Sequence, residues 1–453
     1  VTPIAGMPVL TADQMRAAEA AHGDLAGLME RAGTEVAEAV RRLAGGAEVL
    51  ILCGPGNNGG DGYVAARILG DHGHRVRVAA AGEPRTELAR ATRQRWPGAV
   101  EPLADAAPAP IVVDALFGTG LTRALDVGHA EPLARLCGKA RLSIAVDLPS
   151  GVATDDGAVL GDVPRFDLTL ALAAVKPAHV LQPAASRCGT IRLLDIRLAM
   201  RSDAAVLARP DLSPPAADAH KYSRGMVAVV AGAMDGAARL AATAAMRSGA
   251  GYVLLLGGSG GPDALVRRDH DADALADPRI GAIVIGPGLG RDDRARERLS
   301  DALASKHPAI IDGDALHLLD LAEIASRKVP AILTPHAGEF DALFGKSDAS
   351  KIDRARDAAA RSGAVVVFKG ADTAIASPDG RIRIDTGASP WLSTAGTGDV
   401  LAGACGAMLA GLHDPFRAAC AAVWLHTDAA RRCGAAFIAD DLAGALTAAR
   451  ARA

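Results

Sequence analysis

The chain has 453 residues, more than one ordinary hydrophobic core serves, so two domains are expected. A net charge of −3 without a basic run argues against an extended nucleic-acid surface, and no stretch near twenty apolar residues lacks charge or glycine, which argues against a membrane-spanning helix. Aromatic residues make up only 3% and glycine fills 50 positions, so packing must rest on small and aliphatic side chains.

Residues 1–10 have no positively charged start and too short an apolar run for a signal peptide. The six cysteines (Cys53, Cys137, Cys188, Cys405, Cys420 and Cys433) form no Cys-x-x-Cys pair and no zinc-type spacing with histidine. They read as buried small hydrophobes in a reducing, cytoplasmic setting.

In chain order, residues 11–43 carry a helical apolar pattern through Met15, Leu25, Leu28, Met29, Val36 and Val40, with Thr11 or Asp13 as the cap. Val49 to Cys53 is a continuous apolar run, the mark of a strand buried on both faces of a parallel sheet. It enters Gly54-Pro55-Gly56-Asn57-Asn58-Gly59-Gly60-Asp61-Gly62, followed by a helix from Tyr63 to about Gly70. Strand, glycine-rich loop and helix form a pyrophosphate-binding geometry, but the spacing is not that of a dinucleotide fingerprint. The amide and carboxylate oxygens suit a hard cation or hydroxyl groups.

Strand and helix patterns keep alternating. A strand over 75–80 and a helix over 86–95 precede the strand 110–114, which ends in Asp114-Ala115-Leu116-Phe117-Gly118-Thr119-Gly120-Leu121. The strand 143–147 ends in Asp147-Leu148-Pro149-Ser150-Gly151, and strands at 168–171 and 190–194 complete the sheet. Ligands of open parallel sheets bind beyond the carboxyl ends of the strands, so Asn58, Asp114 and Asp147 should converge on one site. Lys176 is either a cleft residue or a solvated lysine.

Gly54 to Gly62, Asp114 to Leu121 and Asp147 to Gly151 resemble the N-terminal epimerase domain of bifunctional NAD(P)H-hydrate repair enzymes, over about residues 7–200. The resemblance implies a Rossmann-like, three-layer α/β domain that interconverts the R and S epimers at C6 of hydrated NADH or NADPH (NADHX, NADPHX). It further implies a potassium ion on Asn58, Asp114 and Ser150. Substrate contacts would come from Asn57, Asn58, Gly59, Gly60 and Asp61, from Gly118, Thr119, Gly120, Leu121, Thr122, Arg123 and Ala124, and from Asp147. Asp147 is the expected acid/base residue, with Lys176 a weaker partner.

Prolines 210, 214 and 215 lie among Ala, Asp and Ser, which predicts domains over 1–205 and 220–453 joined by a semi-rigid linker, 206–219. The second half opens with a strand at 226–230, a loop at 232–236 and an Ala-rich helix from Ala237 to Arg247. Later strands run into Gly286-Pro287-Gly288-Leu289-Gly290, Asp312-Gly313-Asp314, Thr334-Pro335-His336-Ala337-Gly338-Glu339, and Lys369-Gly370-Ala371-Asp372-Thr373. His336, Glu339, Lys369, Asp312 and Asp314 each also read as ordinary loop or capping residues.

Thr394-Ala395-Gly396-Thr397-Gly398-Asp399 then precedes an apolar helix from Val400 to about Leu409. Glycine-assisted N–H groups at a helix start make an anion cradle. Asp399 beside it could stabilise the helix, hold a metal, or take a hydroxyl proton. A tight turn with an N-terminal acid is the plainer reading.

This order of strand-end loops resembles the ribokinase-like superfamily, and within it NAD(P)H-hydrate dehydratase, over about residues 220–450. The resemblance implies that ADP phosphorylates the C6 hydroxyl of the S hydrate and that phosphate elimination restores the dihydronicotinamide. Lys369, Gly370, Ala371, Asp372, Thr373 and Gly398 would bind the nucleotide, while Ala237, Gly288, Gly290, His336 and Asp399 would meet the hydrate. Asp399 is the expected base, and Mg²⁺ is expected with the phosphates. Ala337 replaces a common proline and Met234-Asp235 a common Tyr-Pro, without removing a charged group. A sugar or vitamin kinase and a non-catalytic first domain are the alternatives. The expected partners are these small molecules, with no nucleic acid or membrane, and a homo-oligomer built on Ala-rich terminal helices.

Overall fold

A computed structural model describes residues 2–453. The chain divides into two compact units, Val1–Val206 and Leu207–Ala453. Of the proline-bearing stretch 206–219, Leu207 and Leu212 are buried in the core of the second unit. There Arg450 donates to the carbonyls of Leu212 and Ser213 at 3.1 and 3.2 Å.

The first unit contains strands β1 (Val49–Cys53), β2 (Val76–Ala80), β3 (Val100–Pro102), β4 (Ile111–Ala115), β5 (Leu142–Val146), β6 (Leu168–Leu172), β7 (Thr190–Leu194) and β8 (Ala204–Val206). Its helices are α1 (Ala12–His22), α2 (Leu25–Ala44), α3 (Asn57–Asp71), α4 (Glu87–Gln94), α5 (Val127–Lys139) and the single turn α6 (Pro177–Val180). The parallel sheet runs β3-β2-β1-β4-β5-β6-β7. Alternate residues of β1 serve opposite cores: Val49, Ile51 and Cys53 face the layer of α2 and α3, while Leu50 and Leu52 pack with Leu133 and Leu136 of α5. That is why an unbroken apolar run, and not an alternating one, marks this strand.

Strand order reverses between β1 and β4, opening a crevice beyond their carboxyl ends. The two loops there touch so closely that a Cβ on Gly54 would stand 1.7 Å from the Leu116 carbonyl oxygen. Only glycine fits.

Two boundaries differ from the sequence expectation. The segment 11–43 is two helices, broken at Gly23, whose φ of +79° ends α1. Thr11 caps α1 in a capping box with Gln14. And α3 begins at Asn57, so Asn57 to Asp61, expected as loop, form its first turn. Glycine and asparagine favour turns locally, but a helix here aims its free N–H groups into the crevice. Cys420 and Cys433 are half-buried, not buried.

The second unit contains β9 (Met226–Val230), β10 (Tyr252–Leu256), β11 (Val266–Arg268), β12 (Ile280–Ile285), β13 (Ala309–Ile311), β14 (Ala331–Leu333), β15 (Val365–Phe368), β16 (Ala374–Ala376) and β17 (Ile382–Ile384). Its helices are α7 (Asp235–Ser248), α8 (Asp293–Ala304), α9 (Asp314–Leu318), α10 (Leu321–Ser326), α11 (Ala337–Phe344), α12 (Lys351–Ser362), α13 (Thr397–Leu412), α14 (Pro415–Cys433) and α15 (Ala439–Arg450). Within this unit the strand order β11-β10-β9-β12-β13-β14-β15-β16-β17 is parallel as far as β15 and continues through the antiparallel strands β16 and β17.

Here the order reverses between β9 and β12, and again a glycine permits the loops to meet: a Cβ on Gly232 would lie 2.2 Å from Leu289. Helix α13 crosses α7 with Gly403 against the Ala241 carbonyl, where a Cβ would be 2.0 Å from the oxygen. Small residues let α13 sit deep on the sheet, which carries its first turn to the mouth of the crevice.

Candidate active sites

In the first unit a cavity of about 420 Å³ opens at the β1/β4 crevice. Asn57, Asn58 and Asp61 of α3 line it, with Gly118, Thr119, Gly120 and Leu121 after β4, Asp147 after β5, and Lys176 ahead of α6. Gly59 and Gly60 are buried in α3 behind that surface, and Thr122, Arg123 and Ala124 lie off the cavity. A Cβ on Gly118 would stand 3.2 Å from both the Asn58 amide and Asp147 Oδ2, so its glycine keeps the centre open.

Asp147 is held on every side. Its φ of +64° is unusual for a non-glycine residue. Lys176 Nζ donates to Oδ1 at 2.5 Å, and the Leu172 N–H donates to the same oxygen at 3.3 Å. Thr119 Oγ1 lies 3.4 Å from Oδ2. Burial works against the charge of Asp147, but the Lys176 ammonium holds its carboxyl below the usual range.

His179 explains the backbone. Its Nδ1 accepts from the Lys176 N–H at 2.9 Å, so Nε2 carries the proton and donates to the Asp147 carbonyl at 2.6 Å. Burial first, then Lys176, lowers this imidazole to about 4, so it stays neutral.

Asp114 and Ser150 sit behind the cavity wall, both fully buried. Asp114 Oδ1 accepts from Ser150 Oγ at 2.8 Å and the Leu116 N–H at 3.0 Å, and Oδ2 from the Ser150 N–H at 2.9 Å. Burial still raises the carboxyl to about 6, and it has no cationic side chain in ion-pair contact among the described residues. The Asn58 amide nitrogen, Nδ2, is buried without a hydrogen-bond partner.

In the second unit, Lys369, Gly370, Ala371, Thr373 and Gly398 line a cavity of about 270 Å³ whose apolar wall includes Leu392, Leu401 and Val423. Asp372 is withdrawn from it and pairs with Lys351 at 2.6 Å. His426 Nε2 lies 2.9 Å from the Thr397 carbonyl and so braces the first turn of α13.

The charged groups gather around Lys369 of this cavity. Asp312 Oδ1 accepts from Lys369 Nζ at 2.8 Å and from Thr334 Oγ1 at 2.7 Å. Glu339 stands 3.8 Å from the same ammonium. Burial disfavours charge on Lys369, but Asp312 and then Glu339 hold it above the ordinary lysine value. A Cβ on Gly398 would lie 3.4 Å from Lys369 Nζ, so glycine brings the α13 N–H groups to this lysine. Asp399, in the same turn, is raised to about 6 by burial and the neighbouring Asp312 charge, with Lys369 pulling the other way.

Gly288 and Ala237 are in contact, since a Cβ on Gly288 would lie 2.9 Å from the alanine Cβ. Asp314 accepts from the Gly290 N–H at 3.0 Å and from Arg291 at 2.8 Å, fixing that turn. His336 caps α11: its Nδ1 accepts from the N–H groups of Gly338 and Glu339, which leaves the proton on Nε2.

Several groups escaped the sequence reading. Met15, Arg16 and Glu19 of α1 line the first cavity, and His179 and His426 brace the two acids from behind. His179 had a local signal in its three-residue spacing from Lys176. The α1 residues had only a shared helix face.

Two open α/β units, each with a carboxylate at its topological switch point, and one with a phosphate-type cradle beside a lysine, define a two-site small-molecule enzyme. Comparison with known proteins gives the family. Residues 25–178 match the YjeF-related protein N-terminus and residues 227–449 match NAD(P)H-hydrate dehydratase. A bifunctional NAD(P)H-hydrate repair enzyme Nnr from Salinibacter ruber is 37% identical over 94% of this chain and 92% of its own. One of the same name from Gloeobacter violaceus is 38% identical over 89% and 88%. The ADP/ATP-dependent NAD(P)H-hydrate dehydratase of Bacillus subtilis, solved with ATP and Mg²⁺, is similar at 30% identity and a TM-score of 0.46, covering 53% of this chain and 94% of that one. The chain belongs to the family of bifunctional NAD(P)H-hydrate repair enzymes. Among the described residues no helix is long and apolar enough to cross a membrane.

Proposed function

We propose that the chain repairs hydrated NADH and NADPH in two steps, the first unit equilibrating the R and S hydrates and the second dehydrating the S hydrate with ADP. The observation that carries the second step is Asp399 in the first turn of α13, beside Lys369 and Gly398. Asp399 takes the C6 hydroxyl proton as that oxygen attacks the terminal phosphorus of ADP, and AMP leaves. Loss of phosphate from C6 and of a proton from C5 then restores the dihydronicotinamide. A carboxyl near 6 is mostly ionised at neutral pH yet basic enough to accept that proton. The α13 N–H groups and Lys369 face the charge that develops on the phosphoryl oxygens.

The adenine ring fits the apolar wall of Leu392, Leu401 and Val423, with Lys369, Gly370, Ala371 and Thr373 along the phosphate side. Ala237, Gly288, Gly290 and His336 are the residues assigned to the hydrate. Among the described residues no cluster of His, Cys, Asp or Glu makes a ready metal cage. That fits Mg²⁺ carried chiefly by phosphates and water, where it neutralises phosphate charge.

In the first unit, Asp147 is the group assigned to move a proton at the C6 carbinolamine. A potassium ion is assigned to the oxygens of Asn58, Asp114 and Ser150, and the support for it is the buried Asp114 carboxyl, which has no cationic side chain in ion-pair contact among the described residues. Such a weakly polarising ion would order the loops and offset the charge of Asp114.

The test is an assay with purified R and S hydrates, with ADP and ATP compared as donors. Appearance of NADH with AMP and phosphate, lost in Asp399→Asn, is the expected result. Full dehydratase rate in that variant would remove Asp399 as the base.

A further inference from the structure

Met15, Arg16 and Glu19 share one face of α1 and line the first cavity. Glu19 is only half-exposed there, and its carboxyl has no hydrogen bond or ion pair among the described residues, since Arg16 pairs with Asp13 instead. The same cavity holds the carboxyls of Asp61 and Asp147 and a single ammonium, Lys176, which is bound to Asp147. Three acids thus face two cations, Lys176 and Arg16, and each is already paired, with Asp147 and Asp13. Burial and then the Asp147 charge raise Glu19, against smaller pulls from Lys176 and Arg16; burial, Asp147 and Glu19 raise Asp61 still more. A lowered and a raised carboxyl in one site is the pattern of an acid–base pair, and of the two raised acids Asp61 is buried in α3 while Glu19 is the one open to cavity water.

We infer that Glu19 is the second proton-transfer group of the epimerase, working as the acid while Asp147 works as the base. This rests on the epimerase reading given above. In the forward sense, Glu19 gives its proton to the C6 hydroxyl, and the C6–O bond breaks with its electron pair leaving as water. The N1 lone pair forms the N1=C6 bond. Water then adds to the opposite face of C6, the π pair returns to N1, and the proton of the added water passes to Asp147. Reversal of the sequence interconverts the epimers in the other direction, with Asp147 as acid and Glu19 as base. Between turnovers of one sense the proton crosses from Asp147 to Glu19 through cavity water, to which the half-exposed Glu19 is open.

The experiment uses the full chain and follows R/S equilibration, with S-hydrate dehydration and thermal unfolding measured on the same preparations. Glu19→Gln should slow equilibration on the order of 10²–10⁴-fold. It should leave dehydration and the unfolding temperature unchanged, and abolish the alkaline fall of kcat/KM in the equilibration profile. Glu19→Asp should keep that alkaline fall. Wild-type equilibration in Glu19→Gln, or a slowed variant that keeps the wild-type alkaline limb, would overturn the assignment. Failure of the wild-type chain to equilibrate the hydrates would instead remove the epimerase reading itself.

Discussion

At the scale of single residues, both sites depend on burying a carboxyl and then choosing its company. Asp399, raised to about 6, must be ionised to act, so dehydratase kcat/KM should fall as pH drops through about 6. A profile flat from pH 5 to 8 would show that another group takes the proton. Asp147 is the opposite case. Its carboxyl is lowered, so the associated stability is present above the unfolded-state value and fades as pH falls toward the folded one. Lys176 and Asp147 are 1% and 7% exposed, and breaking a buried pair costs about 3–5 kcal/mol. Lys176→Met should therefore lower the unfolding free energy by roughly that amount in denaturant titrations, besides its effect on equilibration.

Asp114 supplies a third sign. Its raised carboxyl favours the folded state least once it is ionised, so the first unit should lose stability between about pH 4 and 6 as that charge appears. A cation bound there offsets the cost. Adding potassium at neutral pH should raise the unfolding temperature of the wild type, and Asp114→Asn should abolish the difference from sodium or choline. Equal responses to all three salts would argue against the site.

At the scale of elements, helix starts and glycine contacts decide where those residues stand. Helices α3 and α13 both begin beyond the carboxyl ends of strands and deliver unpaired N–H groups to a cavity. Their approach depends on absent side chains, at Gly54 against Leu116 and Gly403 against Ala241. Gly403→Ala should destabilise the second unit by about 1–3 kcal/mol through overpacking, and should lower dehydratase activity because α13 carries Asp399. A neutral effect in calorimetry would mean that α7 and α13 separate easily. Thr11→Ala, which removes a capping box at the start of α1, should cost about 1 kcal/mol.

At the scale of the whole molecule, the chain repeats one solution: an open α/β sheet, a reversal of strand order, and a glycine that lets two loops close over the switch point. Each unit has its own core, and the two acids stand in different units. Asp147→Ala should therefore abolish R/S equilibration while S-hydrate dehydration continues, and Asp399→Asn should do the reverse. Loss of both activities in either variant, with folding intact, would show a dependence that the separate cores do not explain.

The sequence by itself determined the long buried strands and the two-unit order, and it named most of the residues that line the candidate sites, but not the short strands β3, β8 and β11. Buried parallel strands write themselves as apolar runs such as Val49 to Cys53, and strand-end loops advertise themselves with glycine beside Asn or Asp. The tertiary structure decided what local pattern cannot encode. It turned Asn57 to Asp61 from loop into helix, drew Asp372 aside to Lys351, and set His179 behind Asp147 and Glu19 in front of it. The physical reason is that a carboxyl's basicity depends on burial and on charges brought from distant parts of the chain. Asp147 and Asp399 are both acids beside glycine-bearing turns in sequence, and only packing against Lys176 lowers one while desolvation beside Asp312 raises the other.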